Sequence, residues 1–260
     1  SLRARRDCVL PAGVFRRASL VEPHQRANRV LCTVDRGTEG ERGCSEPVGT
    51  LAPPGPGIQT AREPPAPSES ATSRTMLVPS ATEGLVVHQL LCGREIADPR
   101  LDPNPLFRMA AQMANFVYLV ADGVTGQCAT VDACWDCAGV KRAADDLGLT
   151  IVAAWYTHKH FDHGGGAVPE RMTGGAKVML EGAQDMAALG AEVLVGSADA
   201  VELQQQCGLA SLTGVEEGTQ LAIGGLLCTV LSTPGHTPGS VCFQVGDCLF
   251  TGDTLFVGSC

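Results

Sequence analysis

An apolar, β-branched run from Leu149 to Tyr156 leads directly into Thr157-His158-Lys159-His160-Phe161-Asp162-His163-Gly164-Gly165-Gly166. This order calls for a buried strand that ends in a polar bend. Three of the chain's six histidines fall within six positions, with an aspartate among them. In extended backbone, side chains two positions apart point the same way. His158 and His160 are therefore expected to face one cation, and the turn into the glycines lets Asp162 and His163 face a second. Neutral imidazole is a common metal ligand, and its tautomer is set through the other ring nitrogen. Two later residues complete the pattern. His236 sits in Ser232-Thr233-Pro234-Gly235-His236-Thr237-Pro238-Gly239-Ser240, where Pro-Gly on each side makes a stiff turn between strands. Asp253, in Phe250-Thr251-Gly252-Asp253-Thr254-Leu255-Phe256, follows a strand. A carboxylate can bridge two cations about 3.5–4 Å apart, which an imidazole cannot.

The rest of the chain has a seam at Met76. Residues 1–75 hold eleven arginines and no lysine against eight acidic residues, and nine of the 16 prolines. Ala52-Pro53-Pro54-Gly55-Pro56-Gly57 and Pro64-Pro65-Ala66-Pro67 cannot form a helix or a central strand. Residues 1–75 read as a disordered Arg/Pro-rich leader. Its arginine bias suits an organellar transit peptide, Glu39, Glu41 and Glu46 do not, and the alternative is non-coding sequence. Residues 76–260 carry eight basic and twenty acidic residues and read as alternating strands and helices. Strands are expected at Leu85–Leu91, Asn115–Val120, Cys128–Val131, Leu149–Tyr156, Ala176–Leu180 and Ala191–Val195. Val140, Ala143, Ala144 and Leu147 mark a helix ended by Gly148, and a second helix is expected around Gln184–Leu189. Leu221–Ile223, Leu226–Leu231, Ser240–Val245 and Cys248–Phe250 read as antiparallel strands. Together these give an α/β layered domain. At 44% hydrophobic residues the chain can bury a sizeable core. It has no apolar run near the roughly 20 residues that span a bilayer, and its net charge of −9 argues against nucleic acid as a partner.

The three motifs, T-H-x-H-x-D-H-G-G-G, T-P-G-H-T-P-G-S and T-G-D-T-L-F-x-G, resemble those of the metallo-β-lactamase fold superfamily, and within it the glyoxalase II-like (hydroxyacylglutathione hydrolase-like) enzymes. The likeness covers most of residues 85–260. It implies a four-layer αββα sandwich and two divalent ions, zinc first, with iron or manganese as alternatives. By position, His158, His160 and His236 would bind the first metal and Asp162 and His163 the second, with Asp253 bridging. Asp162 and Asp253 would be the catalytic carboxylates, and Asp132 would support the ligands from behind. The implied reaction is attack of a metal-activated hydroxide on the carbonyl of a small acyl thioester. The family pattern continues past Val257-Gly258-Ser259-Cys260 to a last histidine ligand, so residues 76–260 are expected to be a domain lacking its C-terminal part. The implied setting is intracellular, cytoplasmic or, with a transit leader, mitochondrial or plastidic.

Two other functions fit the same residues. One is a non-haem iron persulfide dioxygenase using His158, His236 and Asp253. The other is a truncated product that neither folds nor binds metal. Among the 12 cysteines, Cys134 and Cys137 form a lone C-x-x-C without the second pair of a zinc ribbon; they read as ordinary thiols, with a redox pair as the alternative. Cys228, Cys242 and Cys248 read as small core residues, and Lys159 as a solvated side chain. His24 and His88 receive no role. Met109, Met113 and Phe116, at i, i+4 and i+7, fit either core or the wall of a substrate pocket.

Overall fold

The computed structural model describes residues 30–32 and 75–256. Along the chain these form β1 (Val30–Cys32), β2 (Met76–Val78), β3 (Leu85–Leu91), α1 (Pro105–Met113), β4 (Phe116–Asp122), β5 (Gln127–Val131), α2 (Cys137–Asp146) and β6 (Thr150–Tyr156). Then come α3 (Phe161–Gly164), β7 (Gly166–Val168), β8 (Val178–Leu180), α4 (Ala183–Ala188), β9 (Glu192–Gly196) and α5 (Ser197–Cys207). Five strands follow: β10 (Thr213–Val215), β11 (Gln220–Ile223), β12 (Leu226–Ser232), β13 (Val241–Val245) and β14 (Cys248–Phe250). Of the leader expected to be disordered, residues 30–32 form β1, and the remainder up to residue 74 lies outside the described residues.

Two larger sheets organise the molecule. One has seven strands in the order β10-β9-β6-β5-β4-β3-β2, and the other five in the order β1-β14-β13-β12-β11. Strands β5, β6, β9 and β10 run parallel, whereas β2 to β5 and the whole second sheet pair antiparallel. Strand β4 is buried along its length, as expected for a strand covered on both faces. One face packs on the second sheet: Trp155 stacks on Phe243 at 5.2 Å, and Tyr118 meets Phe250 edge-on at 5.2 Å. The other face packs on helices through Leu119, Ala154, Tyr156, Val140, Met186 and Leu203. Among the described residues the layers are thus helices, sheet and sheet.

Local chemistry sets the helix limits. Asn104 caps α1 by accepting the Leu106 amide at 3.0 Å, with Pro105 in the first turn. Asp136 caps α2 through Gly139 N at 2.7 Å. Most expected elements appear within a residue or two. Helix α5 does not appear in the sequence reading, because it buries only Asp199, Leu203 and Cys207 and shows no apolar stripe. The Met109/Met113/Phe116 spacing is not one helical face. Helix α1 ends at Met113, Ala114 turns left-handed at φ 55°, and Phe116 already belongs to β4. Met109 and Met113 pack on the helix-side core, and Phe116 on the core between the sheets.

What this arrangement positions is one edge of the sandwich. The carboxyl ends of the parallel strands β5, β6 and β9 deliver Asp132, His158 and Asp199, where α/β sheets place their functional residues. The β12–β13 turn and the residues after β14 arrive beside them from the second sheet.

Candidate metal centre

Strand β6 ends at Tyr156, and the next two residues are buried although polar: Thr157 and His158 are each 1% exposed. A buried polar group needs partners, and Asp132 supplies them. Its carboxylate accepts the Thr157 amide at 2.7 Å and the Thr157 hydroxyl at 2.8 Å. It also lies 3.0 Å from His163 Nδ1. That contact holds the His163 ring with Nε2 facing inward. Asp132 itself sits at φ 55°, a left-handed backbone uncommon outside glycine; such strain clusters at functional sites.

The short α3 carries Asp162 and His163 to the same edge. Asn115, just before β4, donates its Nδ2 to the Asp162 carbonyl at 2.7 Å and to Asp162 Oδ2 at 3.2 Å. Trp135 Nε1 and the Cys134 thiol donate to that same carbonyl, at 3.2 and 2.9 Å. Asp162 Oδ2 is then 3.7 Å from His163 Nε2.

Asp253 arrives on the 3₁₀ turn Gly252–Thr254. Gly252, at φ 47°, passes so close to Thr157 that an added Cβ would lie 2.2 Å from the Thr157 hydroxyl oxygen. Only glycine lets the chain through there, and it brings the carboxylate inside. One Asp253 oxygen is 3.1 Å from His163 Nε2 and the other 3.3 Å from His236 Nε2. The carboxylate therefore spans two groups of imidazoles. On the far side, His236 Nε2 lies 2.9 Å from His160 Nδ1.

His158 stands at the centre. Its ring centroid is 4.7 Å from that of His160, 4.7 Å from His236 and 4.3 Å from His163. His158, His160 and His236 can each offer a ligand atom within 4.8 Å of the others, and so can His158, His163 and Asp253. The buried Nε2 of His158 has no hydrogen-bond partner, a costly state for a polar atom. Burial, then the neighbouring His163 charge, holds the His158 pKa well below 6.5. Burial and His236 lower that of His160. Burial also disfavours charge on His163, but Asp132, Asp253 and Asp162 outweigh it, and its pKa lies well above 6.5. Nitrogen and carboxylate donors that converge around an imidazole nitrogen with no hydrogen-bond partner fit a divalent cation.

The six residues expected as ligands lie at this edge with Asp132 behind His163, but Asp162 falls outside both groups of three that could share an ion. Thr157, which opens the histidine motif, also builds it, as do Asn115, Trp135 and Asp199, which no motif marked. Lys159 departs from its expected solvated state: its side chain is 16% exposed, pairs with Glu202 and lies 3.9 Å from Asp199. Cys134 and Cys137 are free, buried thiols whose pKa burial raises well above 9.0. Cys228, Cys242 and Cys248 are buried in β12, β13 and β14, as small core residues should be.

The family model of the Metallo-beta-lactamase superfamily matches residues 112–260. The chain belongs to the metallo-beta-lactamase superfamily. Every residue of the site described above lies within that match. Among curated relatives of this superfamily member, the probable polyketide biosynthesis zinc-dependent hydrolase BaeB of Bacillus velezensis is 29% identical over 147 residues, covering 56% of this chain and 58% of the relative. The hydroxyacylglutathione hydrolase of Rhodospirillum rubrum is 34% identical over 157 residues, covering 60% and 53%. The crystal structure of a metallo-beta-lactamase from Staphylococcus aureus subsp. aureus COL is 28% identical, covers 51% of this chain and 34% of that one, and superposes with a TM-score of 0.40. The chain spans about half the length of the curated relatives it matches. No helix among the described residues is long and apolar enough to cross a membrane.

Proposed function

We propose that the protein is a metal-dependent hydrolase whose substrate is a small acyl thioester. The observation that carries this reading is the buried, unpartnered Nε2 of His158, ringed by three further imidazoles and the two oxygens of Asp253. His158, His160 and His236 would hold one divalent ion. Asp162 and His163 would hold a second, with Asp253 reaching both. When bound, such ions lower the pKa of water so that hydroxide is available near neutral pH, and they offset charge developing on a substrate oxygen.

The chain's own groups have distinct tasks. Asp132 fixes the His163 ring and keeps its Nε2 aimed inward. Asp162, held through both its carbonyl and its carboxylate by Asn115, can accept a proton from a water that approaches a carbonyl carbon. Burial and neighbouring charge keep His158 and His160 neutral and ready to bind metal at neutral pH. A thioester suits a site built this way, because a thiolate leaves without a strong general acid. A relative whose name specifies an acylglutathione substrate supports this choice.

The test joins composition to activity. Metal content of the purified protein is measured together with hydrolysis of a glutathione thioester, before and after chelation. Zinc bound in stoichiometric amount, with chelator-sensitive thioester cleavage, is expected. A single iron with sulfide-dependent oxygen uptake overturns the hydrolase, and a folded protein that takes up no divalent ion overturns the metal site.

A further inference from the structure

His160 and His236 come from loops 76 residues apart, yet their ring nitrogens lie 2.9 Å from each other. Neither ring is deeply buried, so their own packing does not explain this register. The explanation lies one layer below, in Asp199. This carboxylate, in the first turn of α5, is completely buried. One oxygen accepts the Thr237 hydroxyl at 2.6 Å and the Lys159 amide at 3.1 Å. The other accepts the Gly239 amide at 2.9 Å. Lys159 lies between His158 and His160, and Thr237 and Gly239 follow His236 in its turn. The approach is so close that a Cβ on Gly239 would lie 2.4 Å from the Asp199 amide. Lys159 Nζ, 3.9 Å away, supplies the nearest opposite charge.

We infer that Asp199 is a positioning residue: it clamps the His158–His160 bend to the His236 turn and thereby sets the distance between the ligands of the three-histidine cation position. The inference rests on the metal-site reading above. A charged oxygen pair suits the task, since three donors converge on it from two loops and α5 anchors it to the helix layer. An asparagine has the same shape, but its amide nitrogen would face the Gly239 or Lys159 N–H donor against donor. Charge-assisted hydrogen bonds are the stronger kind, so their loss is felt at the ligands they hold.

The experiment is a Co(II) titration of the full chain, followed by the d–d absorption of the bound ion, on the wild type, Asp199→Asn and Thr237→Val. Metal-free thermal stability is measured in parallel. Losing a hydrogen-bonded support behind a metal ligand weakens affinity about 10–100-fold, and that loss, with a weakened d–d band, is expected for Asp199→Asn. Thr237→Val deletes one clamp bond at nearly constant volume and should cost about fivefold; it decides the matter if Asp199→Asn does not fold. Wild-type affinity and an unchanged band in a folded variant overturn the clamp, even where metal-free stability has dropped, because that is what a purely structural role would produce. A wild type that binds no Co(II) overturns the metal reading itself and the clamp with it.

Discussion

The two sides of the candidate cation site are built by opposite means. On the His163 side, the ligand ring is 1% exposed and the support touches it directly: Asp132 bonds the imidazole, and Asn115 bonds the neighbouring Asp162. On the His236 side, the ring is about one-third exposed and its support acts through the turn: Asp199 and Ser240 hold Thr237 and the Gly239 amide. The first side is fixed by bonds to the imidazole and its neighbour, the second by a buried clamp behind the turn that carries the ring. The difference follows from where the side chains come from. His163 follows β6 in the buried sheet, where any unpaired polar atom is expensive. His236 lies on a hairpin turn of the second sheet, where two Pro-Gly pairs already restrict the backbone. A buried ligand gains precision from its own partners; an exposed one must borrow it from the loop that carries it.

The contrast can be broken first at the residue both sides share. His158→Ala removes the one imidazole common to both candidate ligand groups. Affinity for zinc should fall by more than the roughly 100-fold that losing an outer support costs, with turnover falling alongside; calorimetric titration reads it, and near-native affinity would refute the shared role. His160→Ala should also lose metal and most turnover but leave His158, His163 and Asp253 in place. Next is Asp132→Ala. It strips the Thr157 amide and hydroxyl and the His163 ring of their common acceptor, and should cost about 3 kcal/mol in metal-free stability, read as a shift in urea midpoint. On the other side, Ser240→Ala removes one acceptor from the Thr237 amide and should cost only about 1 kcal/mol. Equal losses at the two positions would erase the distinction between core-fixed and clamped sides.

The smallest effect is in pH. His158 and His160 have folded pKa values below 6.5. The unfolded chain therefore takes up their protons first, and each lowers metal-free stability as pH falls below about 6.5. His163 has the opposite sign: its folded pKa is raised, so its contribution is complete below about 6.5 and lost as pH rises through the folded value. His160→Gln should therefore flatten the acid-side loss of stability in urea titrations of the metal-free protein. A slope unchanged by the substitution would assign the loss to other groups.

Much of the fold was legible because burial imprints a period on sequence. Strand β3 spans the apolar run Leu85–Leu91, and β11 to β14 fall between the Gly and Pro-Gly turns. Helix α5 was not legible, since it presents three consecutive glutamines and only a few buried residues. The candidate ligands were legible because His158, His160 and His163 crowd one bend, and because His236 and Asp253 sit in turns of unusual composition. Asp199 and Asn115 left no trace. Each is a single polar residue whose partners lie 40 and 47 positions away along the chain.

The sequence alone determined which side chains are available to a cation and which strands deliver them, because ligand type and strand periodicity are local properties written in neighbouring residues. Tertiary structure decided the rest: that His160 meets His236, that the two oxygens of Asp253 face different imidazoles, and that Asp132 and Asp199 stand behind them. These are distances between segments far apart in the chain. They are set by how two sheets pack and by the need of buried carboxylates for donors, and no local pattern encodes them.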